Sequence, residues 1–199
     1  MKLNSNPTAA RLISRGLALE YATLGWNLVG SIVVLSSAAL AKSVALAGFG
    51  VDSLIEIFAS VVVVWQLKGV DQGREQKAMR YIGLAFLALA LYILAQSAYT
   101  LATSTHPETS PSGIAWLAAT LAAMLLLAWG KRITGRQLGN PVLMKESYVT
   151  LIDALLAAAV LTGLLVNALT GWWWADPLAG LVIVYYGLKE GREALSEGS

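Results

Sequence analysis

The sequence predicts an all-α membrane protein of six transmembrane helices. Three observations support this fold class: an apolar composition, apolar blocks of membrane-spanning length, and basic residues confined almost entirely to one side. Of the 199 residues, 57% are hydrophobic and only 13% are charged, whereas a soluble domain carries about 45–50% apolar and about 25% charged residues. We therefore expect lipid, rather than water, to surround most of the chain.

Most of the apolar blocks are continuous runs of about 18–25 residues, the length of a helix that crosses a hydrocarbon core of about 30 Å. They lack the alternation in polarity that a transmembrane β-strand shows. The predicted spans are residues 17–41, 43–67, 81–101, 113–130, 147–169 and 177–188. The last span is expected to continue as a cytoplasmic extension, so that residues 17–195 form the membrane domain. Residues 1–16 then form a cytoplasmic segment and residues 196–199 a tail, and no soluble domain is expected.

The basic residues predict the orientation of the spans. All but one of the 14 Lys and Arg residues lie before the first span, after the last, or in the loops on the same side; the exception is Lys42. Because basic residues near span ends favour the cytoplasm, we expect both termini to be cytoplasmic in a cell (plasma or inner) membrane. A cleaved signal peptide ending near Ala41 is the alternative, but the apolar stretch exceeds the usual 7–15 residues.

Polar residues near the span ends predict local structure. Asn140 and Asp176 each precede a proline, the pattern of an N-cap followed by proline at the first helical position, so Asp176 is expected to cap the sixth helix. Glu20 is expected to extend to the inner interface. Glu146 lies in the first turns of the fifth helix, where the helix dipole favours an anion; a capping role is preferred to that of a metal ligand.

Three acidic residues fall well inside the predicted spans: Asp52 and Glu56 in the second and Asp153 in the fifth. Asp52 and Glu56 are four residues apart, so they share one face of a helix. At 1.5 Å per residue, Asp52 lies roughly 14 Å and Glu56 roughly 20 Å below the outer edge, and Asp153 roughly 10 Å above the inner edge. In a core of about 30 Å, the three carboxylates can therefore meet near the middle of the membrane.

Carboxylates at that depth need compensation, since each costs about 2.5–3.5 kcal/mol on insertion scales and three cost on the order of 8–10 kcal/mol. The predicted spans contain no Lys or Arg, so no internal salt bridge is expected, and protons, water or a bound cation remain. Clustered carboxylates form an oxygen-only site suited to a divalent metal, for which protons would compete. The alternative is that the acids are protonated for packing alone, although intramembrane acids are functional by default.

Two segments resemble the membrane domain of the cation diffusion facilitator family of divalent-metal/proton antiporters. Residues 51–60, VDSLIEIFAS, resemble its second helix, and residues 146–153, ESYVTLID, resemble its fifth. Residues 174–180, WADPLAG, are similar to the start of its sixth helix. The resemblance covers about residues 15–195 and implies a short-form member that consists of the membrane domain alone.

This resemblance implies a divalent metal efflux transporter coupled to protons. The metal would be held by Asp52, Glu56 and Asp153, with Glu146 as a weaker candidate. The metal ion, such as zinc, manganese, iron, cobalt or cadmium, would be the transported substrate, and no prosthetic group is expected. Val149 stands where the family has histidine, and the loss of this nitrogen ligand disfavours zinc.

The expected partners are the lipid bilayer, protons and a second copy of the chain, but not nucleic acid. Ala85, Ala88 and Ala95 of the third span permit the close helix approach that the implied homodimer needs. Two other functions stay open: a non-transporting scaffold or regulatory partner, which Val149 favours, and a proton or cation channel. An enzyme is not expected, because no nucleophile–base arrangement is found and the single histidine, His106, lies in an external loop.

Overall fold

The computed structural model describes residues 7–67 and 72–197 and folds them into six α-helices. In chain order these are α1 Pro7–Ala41, α2 Val44–Leu67, α3 Gln72–Thr103, α4 Pro111–Leu138, α5 Pro141–Thr170 and α6 Ala175–Glu197. The described residues form no strand, so the predicted all-α class is confirmed. Each predicted span lies within one helix, except that Ser43 immediately precedes α2.

Four apolar helical segments in the described part of the chain are long enough to cross a membrane. They are Ala10–Ala41, Gly83–Thr103, Pro111–Leu138 and Glu146–Thr170. Leu40 and Leu169 are 79% and 81% exposed, whereas Asn27 and Ser31 are buried. Apolar side chains outside and polar side chains between the helices are typical of a bundle surrounded by lipid, so the chain is a membrane protein.

The spans at 43–67 and 177–188 are not among these four segments. The first enters a region whose side chains lie outside the described part of the structure. The second occupies a helix that also carries Asp176, Lys189, Glu190 and Arg192, and these charges lower its mean hydropathy. Both spans, and the cytoplasmic position of the termini, stay predictions.

The helices pack as a group of four and a pair. α1 packs against α2 and α4, α4 packs against α5, and α2 meets α5 to close the group. α3 and α6 pack against each other, and this pair contacts α2 and α5. A Cβ atom added to Gly83 of α3 would lie 2.9 Å from the carbonyl oxygen of Gly191 in α6, so the two backbones approach as closely as small residues allow.

Asn140 forms the predicted cap at the start of α5. Its Oδ1 accepts a hydrogen bond from the backbone N–H of Leu143 at 3.1 Å, which satisfies one of the free donors of the first turn. The preceding Gly139 has φ of 60°, the left-handed conformation that glycine adopts readily at the end of a helix. These two residues therefore connect α4 directly to α5.

Asp176 does not cap its own helix, so that prediction was wrong. It lies in the first turn of α6, and its Oδ2 accepts hydrogen bonds from the backbone N–H groups of Val44 and Ala45 at 3.0 and 3.3 Å. Its Oδ1 accepts a further hydrogen bond from the hydroxyl of Ser43. The carboxylate thus neutralises the positive end of the α2 dipole and joins α6 to the start of the helix that carries Asp52.

Candidate functional site

The three carboxylates predicted to meet line one small cavity. Asp52 and Glu56 from α2 and Asp153 from α5 are 5%, 2% and 3% exposed. Phe86 from α3 and Tyr186 from α6 are among the other residues that line this space of about 20 Å³. A cavity needs about 10–15 Å³ to hold one water molecule, so this one has room for a single species of that size. It lies where the α3–α6 pair meets the four-helix group.

The carboxylates are not drawn together around an ion. Within the described ranges, no group of three or more Asp, Glu or His residues has the geometry of a metal site. Asp52, Glu56 and Asp153 share a cavity without this spacing, so metal binding would require their side chains or helices to close. Their role as metal ligands stays a prediction.

Asp153 and Glu56 have carboxylate oxygens without a hydrogen-bond donor. In the described part of the chain, no N–H or hydroxyl group donates a hydrogen bond to either oxygen of Asp153 or to Oε1 of Glu56, and the carboxyl groups of Asp153 and Glu56 interact with each other. The other oxygen of Glu56 accepts a hydrogen bond from the amide Nδ2 of Asn27 in α1 at 2.7 Å. A buried charge without a partner is costly, so binding of a proton or a cation to Asp153 is favourable.

Asn27 contributes to the site from a third helix. It is 2% exposed, and its backbone carbonyl accepts a hydrogen bond from the hydroxyl of Ser31 at 2.7 Å. The Nδ2 group that donates to Glu56 has no acceptor capacity, so this hydrogen bond restrains Glu56 through a group that cannot itself bind a metal. The sequence did not single out Asn27 as part of the site, because an asparagine in a span is most simply a group that joins helices.

Two further residues line the cavity, one of which the sequence analysis missed. Val149 lines it but provides no ligand atom, as its position in the sequence implied. Glu190 of α6 also lines it and interacts electrostatically with Asp52. Glu190 lies just beyond the predicted sixth span, so it was counted with the solvated extension. The sequence feature that could have indicated Glu190 is its spacing of four residues from Tyr186, which places both side chains on one helix face.

A second buried cluster contradicts four expectations. Lys131 was expected in a cytoplasmic loop, but it is 0% exposed and lies within α4, which continues to Leu138. Its ammonium group donates to Glu20 Oε2 at 3.1 Å, to Glu146 Oε1 at 3.3 Å and to Thr150 Oγ1 at 3.0 Å. Glu20 therefore does not extend to the interface, Glu146 is not a simple cap, and an internal salt bridge does exist.

This ion-pair network joins α1, α4 and α5. The two carboxylates and one ammonium group are at most 5% exposed, and the charge of Lys131 also acts on Glu56. Because Glu146 is held by Lys131, a role in binding metal would require it to leave that partner. Among the described residues that line the carboxylate cavity, none is basic.

Comparison with known proteins relates this arrangement to transport. Residues 20–199 match the model of the cation efflux transmembrane domain, a range that includes both clusters. The chain is also similar to the magnetosome protein MamB of Magnetospira sp. (strain QH-2), with 24% identity over 172 residues. The match covers 79% of this chain and 58% of that relative, so the chain spans less than two thirds of the length of the curated relative.

Proposed function

Because this chain belongs to the cation efflux family, we propose that it carries a divalent metal cation out of the cytoplasm in exchange for protons. The binding site would be formed by Asp52, Glu56 and Asp153. The observation that supports this proposal is their shared cavity, in which both oxygens of Asp153 lack a hydrogen-bond donor. The membrane would be the cell membrane, with the basic helix ends facing the cytoplasm.

Exchange follows from competition for the same oxygens. When ionised, the three carboxylates carry three negative charges, and a divalent cation compensates two of them. When the cation leaves, protons compensate the same charges. The three carboxylates therefore need not all stay ionised inside the membrane while no cation is bound. Alternating access would come from rocking of α2 and α5, which bear the carboxylates, relative to the other helices, by analogy with other transporters.

The ligand set favours harder ions. Carboxylate oxygens suit manganese and other hard divalent ions, whereas zinc prefers nitrogen or sulfur ligands in tetrahedral sites. Val149 leaves the site without nitrogen. We therefore expect manganese to be transported better than zinc or cadmium, and Val149→His to reverse that order.

Metal flux in proteoliposomes with an imposed pH gradient tests the proposal. We expect the parent protein to accumulate metal, and Asp52→Asn, Glu56→Gln and Asp153→Asn to lower the rate by more than tenfold. Glu193→Gln is the matched control, because Glu193 is an exposed acid of α6, and it should transport like the parent. If Asp52→Asn and Asp153→Asn also transport like the parent, the site assignment is wrong.

A non-transporting partner with the transporter fold is the second candidate. It is favoured by Val149, a cavity-lining residue without a ligand atom. Isothermal titration of the purified protein in detergent distinguishes the two functions. The transporter predicts saturable metal binding that Asp153→Asn weakens, whereas the partner predicts no binding in either protein.

A homodimer through α3 is part of the proposal. Ala88 and Ala95 lie on the exposed face of α3, where a second copy has access to them, whereas Ala85 packs against the core. Close approach at small residues stabilises helix association in membranes. Ala88→Leu combined with Ala95→Leu should therefore lower the dimer fraction measured by cross-linking in liposomes, and an unchanged fraction would exclude this face.

A further inference from the structure

A groove of about 320 Å³ runs between α4 and α5 on the surface of the bundle. Arg132, Arg136 and Ser147 line its polar end, whereas Leu125 and Leu151 line its apolar end. Arg136 lies 11 positions after Leu125, so the groove extends about 16 Å along the helix. Its polar end lies near the end of α4 and the start of α5, and its apolar end lies nearer the middle of these two helices.

The two arginines of the groove are free to bind a ligand. They are four residues apart and exposed, so both guanidinium groups project from one face of α4. Within the described ranges neither guanidinium group forms a hydrogen bond or an ion pair. A guanidinium group presents paired donors that match the oxygens of a phosphate, and two such groups form a strong anion site.

A third cation borders this end of the groove. Tyr148 also lines the groove, and its hydroxyl accepts a hydrogen bond from the ammonium group of Lys189 at 3.3 Å. The same ammonium group lies 5.5 Å from the centre of the Tyr148 ring. Trp129, which lines the groove as well and is 66% exposed, is the type of residue found at the level of lipid headgroups.

We propose that this groove binds one anionic phospholipid. The headgroup phosphate would lie between Arg132 and Arg136, and an acyl chain would lie along Leu125 and Leu151. Basic pockets between transmembrane helices bind anionic headgroups in this way. A soluble phosphate would use only the polar end, whereas a phospholipid matches both the charge and the apolar length of the groove.

A groove of similar size near the other ends of the helices provides an internal comparison. It has a volume of about 390 Å³ and lies between α1, α2 and α3. Lys42 is the single charged residue among the described residues that line it. Selection of an anionic lipid is therefore expected at the α4–α5 groove, where two guanidinium groups converge.

The position of the groove also predicts an effect on stability. Arg132 and Ser147 directly follow Lys131 and Glu146 in the chain, and those two side chains form the buried ion pair between α4 and α5. A lipid that contacts both helices at this level would hold them together. Anionic lipid should therefore raise the thermal stability of the protein more than zwitterionic lipid does.

Native mass spectrometry of the purified protein, titrated with phosphatidylglycerol or phosphatidylcholine, tests the proposal. We expect phosphatidylglycerol to bind more tightly than phosphatidylcholine. Arg132→Gln or Arg136→Gln should weaken its binding about fivefold, and the double variant about 30-fold, which corresponds to about 1 kcal/mol for each arginine. Arg11→Gln with Arg15→Gln is the matched control, because these arginines are also four residues apart and exposed, and it should change binding less than twofold.

Three results of the lipid titrations would overturn the proposal. They are equal affinity for the two lipids, an unchanged affinity in the double glutamine variant, and a loss in the control as large as in that variant. Displacement of phosphatidylglycerol by equimolar glycerol phosphate would also overturn it, since it would reduce the site to a phosphate site. If the glutamine variants fail to fold, Arg132→Lys with Arg136→Lys keeps the charge but loses the paired donors, and it should still weaken binding measurably.

Discussion

Replacing Lys131 by methionine removes the cation of the buried network and keeps a side chain of similar length. Lys131 is 0% exposed, and its ammonium group lies 3.1 Å from Glu20 Oε2 and 3.3 Å from Glu146 Oε1. The substitution leaves two carboxylates between three helices without their counter-charge. Removing one partner of a buried ion pair costs about 3–5 kcal/mol, because the remaining charge is left uncompensated.

The expected decrease in stability can be measured by thermal unfolding in detergent, followed by tryptophan fluorescence. For a chain of this size, 1 kcal/mol changes the melting temperature by about 2–4 °C, so Lys131→Met should lower it by roughly 6–20 °C. Arg192→Gln, which changes an exposed basic residue of α6, is the control and should leave the melting temperature nearly unchanged.

A triple variant separates the loss of charge balance from the loss of packing. Lys131→Met combined with Glu20→Gln and Glu146→Gln removes all three charges, and replacing a whole buried ion cluster by uncharged groups is often neutral or stabilising. We therefore expect the triple variant to recover most of the lost stability. A melting temperature as low as that of Lys131→Met, or a single variant as stable as the parent, would refute the charge-balance explanation.

Three further predictions concern single contacts. Asn27→Leu removes the hydrogen bond to the Glu56 carboxylate, worth about 1.5–3 kcal/mol, and should weaken metal binding at least tenfold in isothermal titration. An unchanged metal affinity would show that Asn27 does not position Glu56 for binding. Asp176→Ala should lower stability by about 0.5–2 kcal/mol and accelerate amide exchange at residues 44–45; faster exchange at the start of α6 instead would contradict the cross-helix cap. Gly83→Leu overpacks the α3–α6 contact and should lower the free energy of unfolding by about 1–3 kcal/mol. Gly25→Leu is the control and should lower it little, because a Cβ added there meets nothing within 4 Å. Equal losses of stability in the two variants would refute the close-approach argument.

The cavity of the site was predictable because it depends only on helix geometry. The spacing of Asp52 and Glu56 places both on one face, and counting residues places Asp153 at a matching depth. The family was predictable because residues 51–60, 146–153 and 174–180 resemble segments of its membrane domain, and the match over residues 20–199 confirms it. The six helices followed from the continuous apolar blocks.

The charge partners were not predictable, because they depend on where helices end and how they face one another. The apolar block of the fourth span ends at residue 130, but the helix continues to Leu138 and takes Lys131 into the bundle. Glu190 likewise lies just beyond the predicted sixth span, on a helix that continues past the end of that span. Asp176 has the local pattern of a cap for its own helix, and only the tertiary packing directs its carboxylate to α2.

The two buried clusters differ in how their charge is compensated, and this difference supports a transport role for one of them. The cluster at Glu20 and Glu146 contains its own cation, Lys131, which forms ion pairs with both carboxylates and balances one of their two negative charges within the fold. In the other cavity, Asp52, Glu56 and Asp153 share a described lining that contains no basic residue. A bundle that encloses one lysine to stabilise buried carboxylates has the means to stabilise others in the same way. Carboxylates that lack such a partner must instead be compensated by protons or by a cation that enters from solution, and groups whose compensation is exchangeable are the ones that an exchanger requires.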